Sequence, residues 1–208
     1  MQSFENLFAE KINHVLGHLD PAHDLSHVKR VVNTAKKLAQ EENAIREVVV
    51  PAAWLHDLVN LPKNHPERKK ASTLAADEAL KYLRSVEYPE KYLDGIHHAI
   101  CAHSFSAGIT PTTLEAKIVQ DADRLDALGA IGLARLFSIN TQLGRVFYDH
   151  EDPFAQKRSL DDKLYGMDHI FIKLEKISES MNTVSASIEA KRRFRFIQDF
   201  LDELKKEI

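Results

Sequence analysis

The sequence predicts an all-α fold, a single-domain helical bundle over residues 1–208, and three observations predict it. Only seven glycines and seven prolines interrupt 208 residues. Between them apolar residues recur at three- and four-residue spacings. No hairpin signal or series of alternating β-rich segments is found. A hydrophobic content of 44% and a charged content of 28% suit one soluble domain with a sizeable core.

The first helix is expected over about residues 3–18, with Phe4, Leu7, Phe8, Ile12, Val15 and Leu16 on one face. Asp20-Pro21 supplies an N-cap followed by proline at the first helical position. The second helix then runs to about Glu42 and buries Leu25, Val28, Val31, Val32, Ala35 and Leu38. VVVPAAWLHDLV forms a third, about 45–60. There Val48 to Val50 alone could be a short buried strand, and Pro51 must start or kink the helix. A basic loop, NLPKNHPERKK, precedes helices at about 71–85 and 89–104. Thr112 and Glu115 form a capping-box pattern that opens a long helix over about 113–141. Residues 144–166 are polar and irregular, the kind of long loop that often serves as a lid. Helices at about 167–181 and 183–206 follow.

A net charge of −3 excludes a broad nucleic-acid footprint, so an anionic substrate must be met by local basic residues. The single Cys101 excludes an internal disulfide and a cysteine-based zinc site and suits a reducing cytosol. Glu5, Glu10 and Lys11 inside the first apolar pattern mark an amphipathic helix, not a signal peptide. No apolar run approaches the roughly 20 residues needed to span a bilayer. The expectation is a cytoplasmic protein with no membrane or nucleic-acid polymer as partner; a homodimer is admissible.

The residues that carry chemistry are His27, the doublet His56-Asp57, and Asp123. Imidazole and carboxylate are the ligands a catalytic divalent metal takes. Trp54, Leu55, Leu58 and Val59 surround the doublet, so an ionised Asp57 needs a partner against desolvation. A metal would serve, and so would an arginine such as Arg124. Asp24, three residues before His27, could orient it, as could His23. Asp126 shares a helical face with Asp123.

The blocks HDLSHVKRV, AAWLHDLVNLPKNHPERKKAS, HHAICAHSFSAG, EAKIVQDADRLDALGAIGLAR and DDKLYGMDHIFIKLEKI occur in that order. Together they resemble the HD-domain superfamily of metal-dependent phosphohydrolases, in particular its small stand-alone bacterial members, over about residues 20–200. The resemblance implies an HD-type helical bundle in which His27, His56, Asp57 and Asp123 bind the metal. Asp24, Asp121 and Asp126 then lie behind the ligands. Some HD nucleotidases carry a glutamate three residues after the doublet, where this chain has Asn60. The resemblance also implies a small phosphorylated substrate, most readily a nucleotide, cleaved as a triphosphate pyrophosphohydrolase or a phosphatase. Two further functions follow from it as alternatives, a di-iron oxygenase and a non-catalytic nucleotide sensor.

The mixed nitrogen and oxygen set suits Mn²⁺, Fe²⁺, Co²⁺, Ni²⁺ or Zn²⁺, with Mg²⁺ admissible. Asp57 could accept a proton from the attacking water. Lys63 and Arg68 are the first candidates for phosphate contact, with Lys69 and Lys173 behind them. His98 or His103 could protonate a leaving group or, as in binuclear relatives, hold a second metal; spacing does not choose between them.

Overall fold

The computed structural model describes residues 1–16, 25–59, 61, 65–104 and 107–208, the side chain of Gln2 excepted. The fold is all-α, with nine α-helices and no strand among the described residues. The chain divides into two compact units, Met1–Asp123 and Arg124–Ile208. None of the described helices is long and apolar enough to cross a membrane.

The first unit is built around α3 (Arg46–Leu55), which packs against α1 (Gln2–Leu16), α2 (Leu25–Glu41) and α5 (Leu93–His103). Every residue from Val48 to Leu55 is buried, so the apolar run is that of an enclosed helix and no strand forms. Pro51 lies inside α3, where it cannot donate to the carbonyl of Glu47. The Tyr88 hydroxyl donates to that carbonyl instead, at 2.7 Å. α4 (Ala71–Ser85) lies along α5. Ala75, Ala76 and Ala79 of α4 and Ala99 and Ala102 of α5 are buried, small residues that let helix backbones approach closely. α1 is tied down by Glu5, which accepts from Trp54 Nε1 at 3.2 Å and pairs with Lys36.

The helix expected over 113–141 is two helices, α6 (Leu114–Leu125) and α7 (Gly129–Gln142). Gly129 takes a positive φ of 73°, and a Cβ at Gly132 would lie 2.2 Å from the Ala127 carbonyl oxygen. A continuous helix is interrupted where glycine alone fits. The capping box is also replaced. Thr113 Oγ1 accepts from Ala116 N at 3.2 Å, while Glu115 reaches Ile45 N, at the start of α3, at 3.1 Å.

In the second unit α9 (Val184–Glu207) packs on α7 and α8 (Glu175–Glu179). The helix expected over 167–181 contains a π turn, Ile170–Leu174, ahead of α8. Residues 144–166 are irregular as expected but densely bonded. Asp152 accepts from the backbone N–H groups of Gln156, Lys157 and Arg158 at 2.8–3.0 Å. The ends of the segment meet where Val146 N donates to Leu164 O and Gly166 N to Val146 O.

Candidate metal centre

His27 sits in the first turn of α2, Asp123 in the last turn of α6 and His103 at the end of α5. His56 and Asp57 lie just beyond the last residue of α3, in a turn and not within the helix expected to run to about residue 60. That placement has a chemical consequence. The last carbonyls of a helix lack intrahelical donors. His56 Nδ1 lies 2.8 Å from the carbonyl of Ala53, and His103 Nδ1 lies 2.6 Å from that of Ile100. A carbonyl only accepts, so each ring holds its proton on Nδ1 and turns Nε2 towards the site.

There the groups converge. His27, His56 and Asp57 each offer a ligand atom within 4.8 Å of the others. His56 Nε2 is 3.5 Å and His27 Nε2 3.8 Å from Asp57 Oδ2. Asp123 Oδ1 is 3.5 Å from His27 Nε2 and 4.0 Å from His56 Nε2. On the far side of Asp57, Oδ1 lies 3.7 Å from His103 Nε2. The three rings are buried, and the His56 ring meets those of His27 and His103 edge-on at 5.5 and 4.9 Å between centroids.

The electrostatics are those of a cation site. Burial lowers the His56 pKa against the opposing pull of Asp57, so the ring is neutral near pH 7. Burial alone would push the Asp57 carboxyl up, but His56, His103 and His27 together hold it well below the usual range. Burial would likewise lower His103, yet the adjacent Asp57 carboxylate and the charge of Asp123 raise it. His56 Nε2 is buried with no hydrogen-bond partner. With its proton on Nδ1, it presents a lone pair to a carboxylate oxygen that also only accepts. Only a proton or a metal cation relieves that opposition.

The residues fit a divalent metal. Two ligand atoms about 2.1 Å from one ion stand roughly 3.0 Å apart at a right angle and roughly 3.4 Å apart at a tetrahedral one. The separations of 3.5–4.0 Å lie just outside that range.

His98 Nε2 accepts from Thr112 N at 3.0 Å and lies 2.9 Å from its hydroxyl, so that nitrogen caps a backbone group. Between His98 and His103, the structure brings His103 to Asp57. Asp126 is bound by Arg135. Arg124 donates to Ser180 O at 2.8 Å. Arg68 donates to the Leu61 carbonyl, and Lys69 stands exposed in the same 3₁₀ turn, Arg68–Lys70. Lys173 lies in the π turn of the second unit. Asp24, His23, Asn60 and Lys63 lie outside the described residues. The orienting carbonyls of Ala53 and Ile100 were not legible in sequence. Histidines at helix C-termini were the signal that could have pointed to them.

Comparison with known proteins gives the family. The HD domain family model matches residues 24–128. The chain belongs to the HD-domain family. It is 32% identical to the Bacillus subtilis (strain 168) protein YpgQ over 191 residues, 89% of this chain and 84% of that one. The crystal structure of Bacillus subtilis YpgQ in complex with ADP superposes with a TM-score of 0.78 at 29% identity, covering 100% of this chain and 97% of that one. An HD-superfamily hydrolase from Bacillus thuringiensis superposes with a TM-score of 0.77 at 30% identity, over 99% of this chain and 97% of that one.

Proposed function

We propose that this HD-family hydrolase is a metal-dependent phosphohydrolase whose substrate is a small phosphorylated metabolite, most readily a nucleotide. Residues 1–208 would work as one functional domain. The observation that carries the reading is the lone pair of His56 Nε2, buried, unpartnered and set against Asp57 Oδ2. His27, His56, Asp57 and Asp123 would hold the ion, which by its ligand chemistry is Mn²⁺, Fe²⁺, Co²⁺, Ni²⁺ or Zn²⁺, with Mg²⁺ admissible. The ADP complex of YpgQ supports a nucleotide over other phosphate esters.

Phosphate esters are among the slowest bonds to hydrolyse, with enzymatic accelerations of up to about 10²¹-fold. One positioned acid or base supplies only about 10²–10⁴-fold. When bound, the divalent ion supplies polarisation of a phosphoryl oxygen and acidification of water. The chain's own residues supply the rest. Asp57 accepts a proton from the attacking water. His103, beside Asp57 Oδ1, gives one to the departing oxygen.

The di-iron alternative draws on His98 and His103 as extra ligands, and His98 Nε2 is engaged by Thr112. The gathered ligand set favours an enzyme over a sensor. The test is release of phosphate or pyrophosphate from a nucleotide panel by purified protein with Mn²⁺. Wild type is expected to turn over at least one nucleotide and Asp57→Ala none. Equal rates for the two would end the reading.

A further inference from the structure

Three consecutive carbonyls at the end of α5 are answered by three side chains, all within the first unit. The last carbonyls of a helix lack intrahelical donors. α4 and α7 find donors in their own continuing backbone. After left-handed residues, Glu87 at φ 55° and Gly144 at φ 65°, Tyr88 N returns to Leu83 O and Arg145 N to Asn140 O, both at 2.9 Å. The chain leaves α5 without such a turn, because Ser104 is extended at φ −76° and ψ 124°. Its carbonyls are met from the side instead. His103 Nδ1 lies 2.6 Å from Ile100 O, Ser72 Oγ donates to Cys101 O at 3.0 Å, and Gln120 Nε2 donates to Ala102 O at 2.7 Å. The three side chains are buried, so water does not readily replace a donor that is lost.

These bonds reach His103 twice. Its ring is fixed through Nδ1, and the carbonyl that Gln120 holds belongs to the peptide unit whose nitrogen is His103's own. That unit is planar and stiff. Turning it swings the His103 side chain, and with it Nε2, which lies 3.7 Å from Asp57 Oδ1. Gln120 also stands about one helical turn ahead of Asp123 on α6, and Asp123 Oδ1 lies 3.5 Å from His27 Nε2. One buried hydrogen bond therefore joins the helix that carries Asp123 to the peptide that carries His103. Ser72, in the first turn of α4, braces the peptide unit between Cys101 and Ala102.

We propose that Gln120 is a positioning residue for His103, with Ser72 supporting it: together they fix the end of α5 so that the His103 ring faces Asp57 Oδ1 and the departing oxygen. The inference rests on the reading above, in which His103 gives that oxygen its proton. Gln120 acts from behind the ring, through the backbone, and Ser72 acts one peptide further back.

The test compares the Mn²⁺-loaded wild type with Gln120→Met, which keeps the length of the side chain and removes the donor, on a nucleotide that wild type turns over. Misplacing a catalytic group by about 1 Å can cost about 10²-fold, so Gln120→Met is expected to lower kcat by about 10- to 100-fold. KM and metal content should stay within about twofold, because neither substrate nor ion is touched. In a His103→Gln background the same substitution is expected to cost less than about threefold, since no ring is left to position. Ser72→Ala is expected to lower kcat by about three- to tenfold, and Ser72→Thr, which keeps the hydroxyl, to restore it. Where Gln120→Met fails to fold, the Ser72 pair carries the test. Equal losses in both backgrounds, or wild-type kcat in both Gln120→Met and Ser72→Ala, would overturn the proposal. Crystal structures of the two variants ask the same question without turnover: the His103 ring is expected to move from Asp57 Oδ1 or to lose its single orientation. A ring left in place in both overturns the inference, whereas a wild type that hydrolyses no nucleotide overturns the phosphohydrolase reading alone.

Discussion

Asp57 keeps 18% of its side-chain surface and Asp168 none, and the groups that answer the two carboxylates differ in kind. Asp168, fully buried in the second unit, receives both Arg158 nitrogens at 2.6 and 2.8 Å and the backbone N–H of Asp161 at 2.7 Å. Arg158 in turn lies over the Tyr165 ring, 4.3 Å from its centroid. Each of those donors is permanent. Asp57 faces three imidazoles instead, of which His56 offers it a lone pair. A carboxylate answered by fixed donors pins a loop. One answered by titratable nitrogens is left with a requirement that a bound cation fulfils.

Three substitutions sharpen that contrast. His103→Gln removes the proton beside Asp57 Oδ1 but no proposed metal ligand. It is expected to lower kcat by about 10²–10⁴-fold with unchanged metal content by elemental analysis. Loss of the metal would instead make His103 a ligand. Asp168→Ala strands the Arg158 fork and is expected to destabilise the protein by about 3–5 kcal/mol. Asp57→Ala, which removes a carboxylate that lacks fixed donors, should cost far less. Urea unfolding of both variants measures the difference, and equal losses would break the comparison.

The smallest effect belongs to a half-buried carboxylate with a largely exposed partner. Glu189 pairs with Arg192 and Arg193 on α9 at 2.7–2.8 Å, and the Arg192 hydrogen bond leads in lowering its pKa from 4.5 to about 2. A depressed folded-state pKa contributes stability above the unfolded value, lost as pH falls through the folded one. Melting curves of wild type and Glu189→Gln should therefore differ above pH 4.5 and converge towards pH 2. The difference should be about 1 kcal/mol or less, because solvent screens the pair.

Much of this was legible in the sequence. Apolar spacing located α2, α4 and α9 closely, because burial of one face is written in local periodicity. The break at residues 126–128 was not, since Ala127 and Gly132 meet only after the chain turns. Residue types that a metal takes were legible at His27, His56, Asp57 and Asp123, and the structure gathers the first three within 4.8 Å of one another. That His98 and not His103 caps Thr112 was not, because fourteen residues separate the partners.

The sequence by itself determined an all-α chain of the HD type, and it offered four side chains of the kinds a cation takes. Tertiary structure alone decided which histidine joins Asp57 and how the rings are turned. The reason is physical. Periodicity records which face leaves water, whereas the availability of a nitrogen depends on the partner that distant chain brings to it.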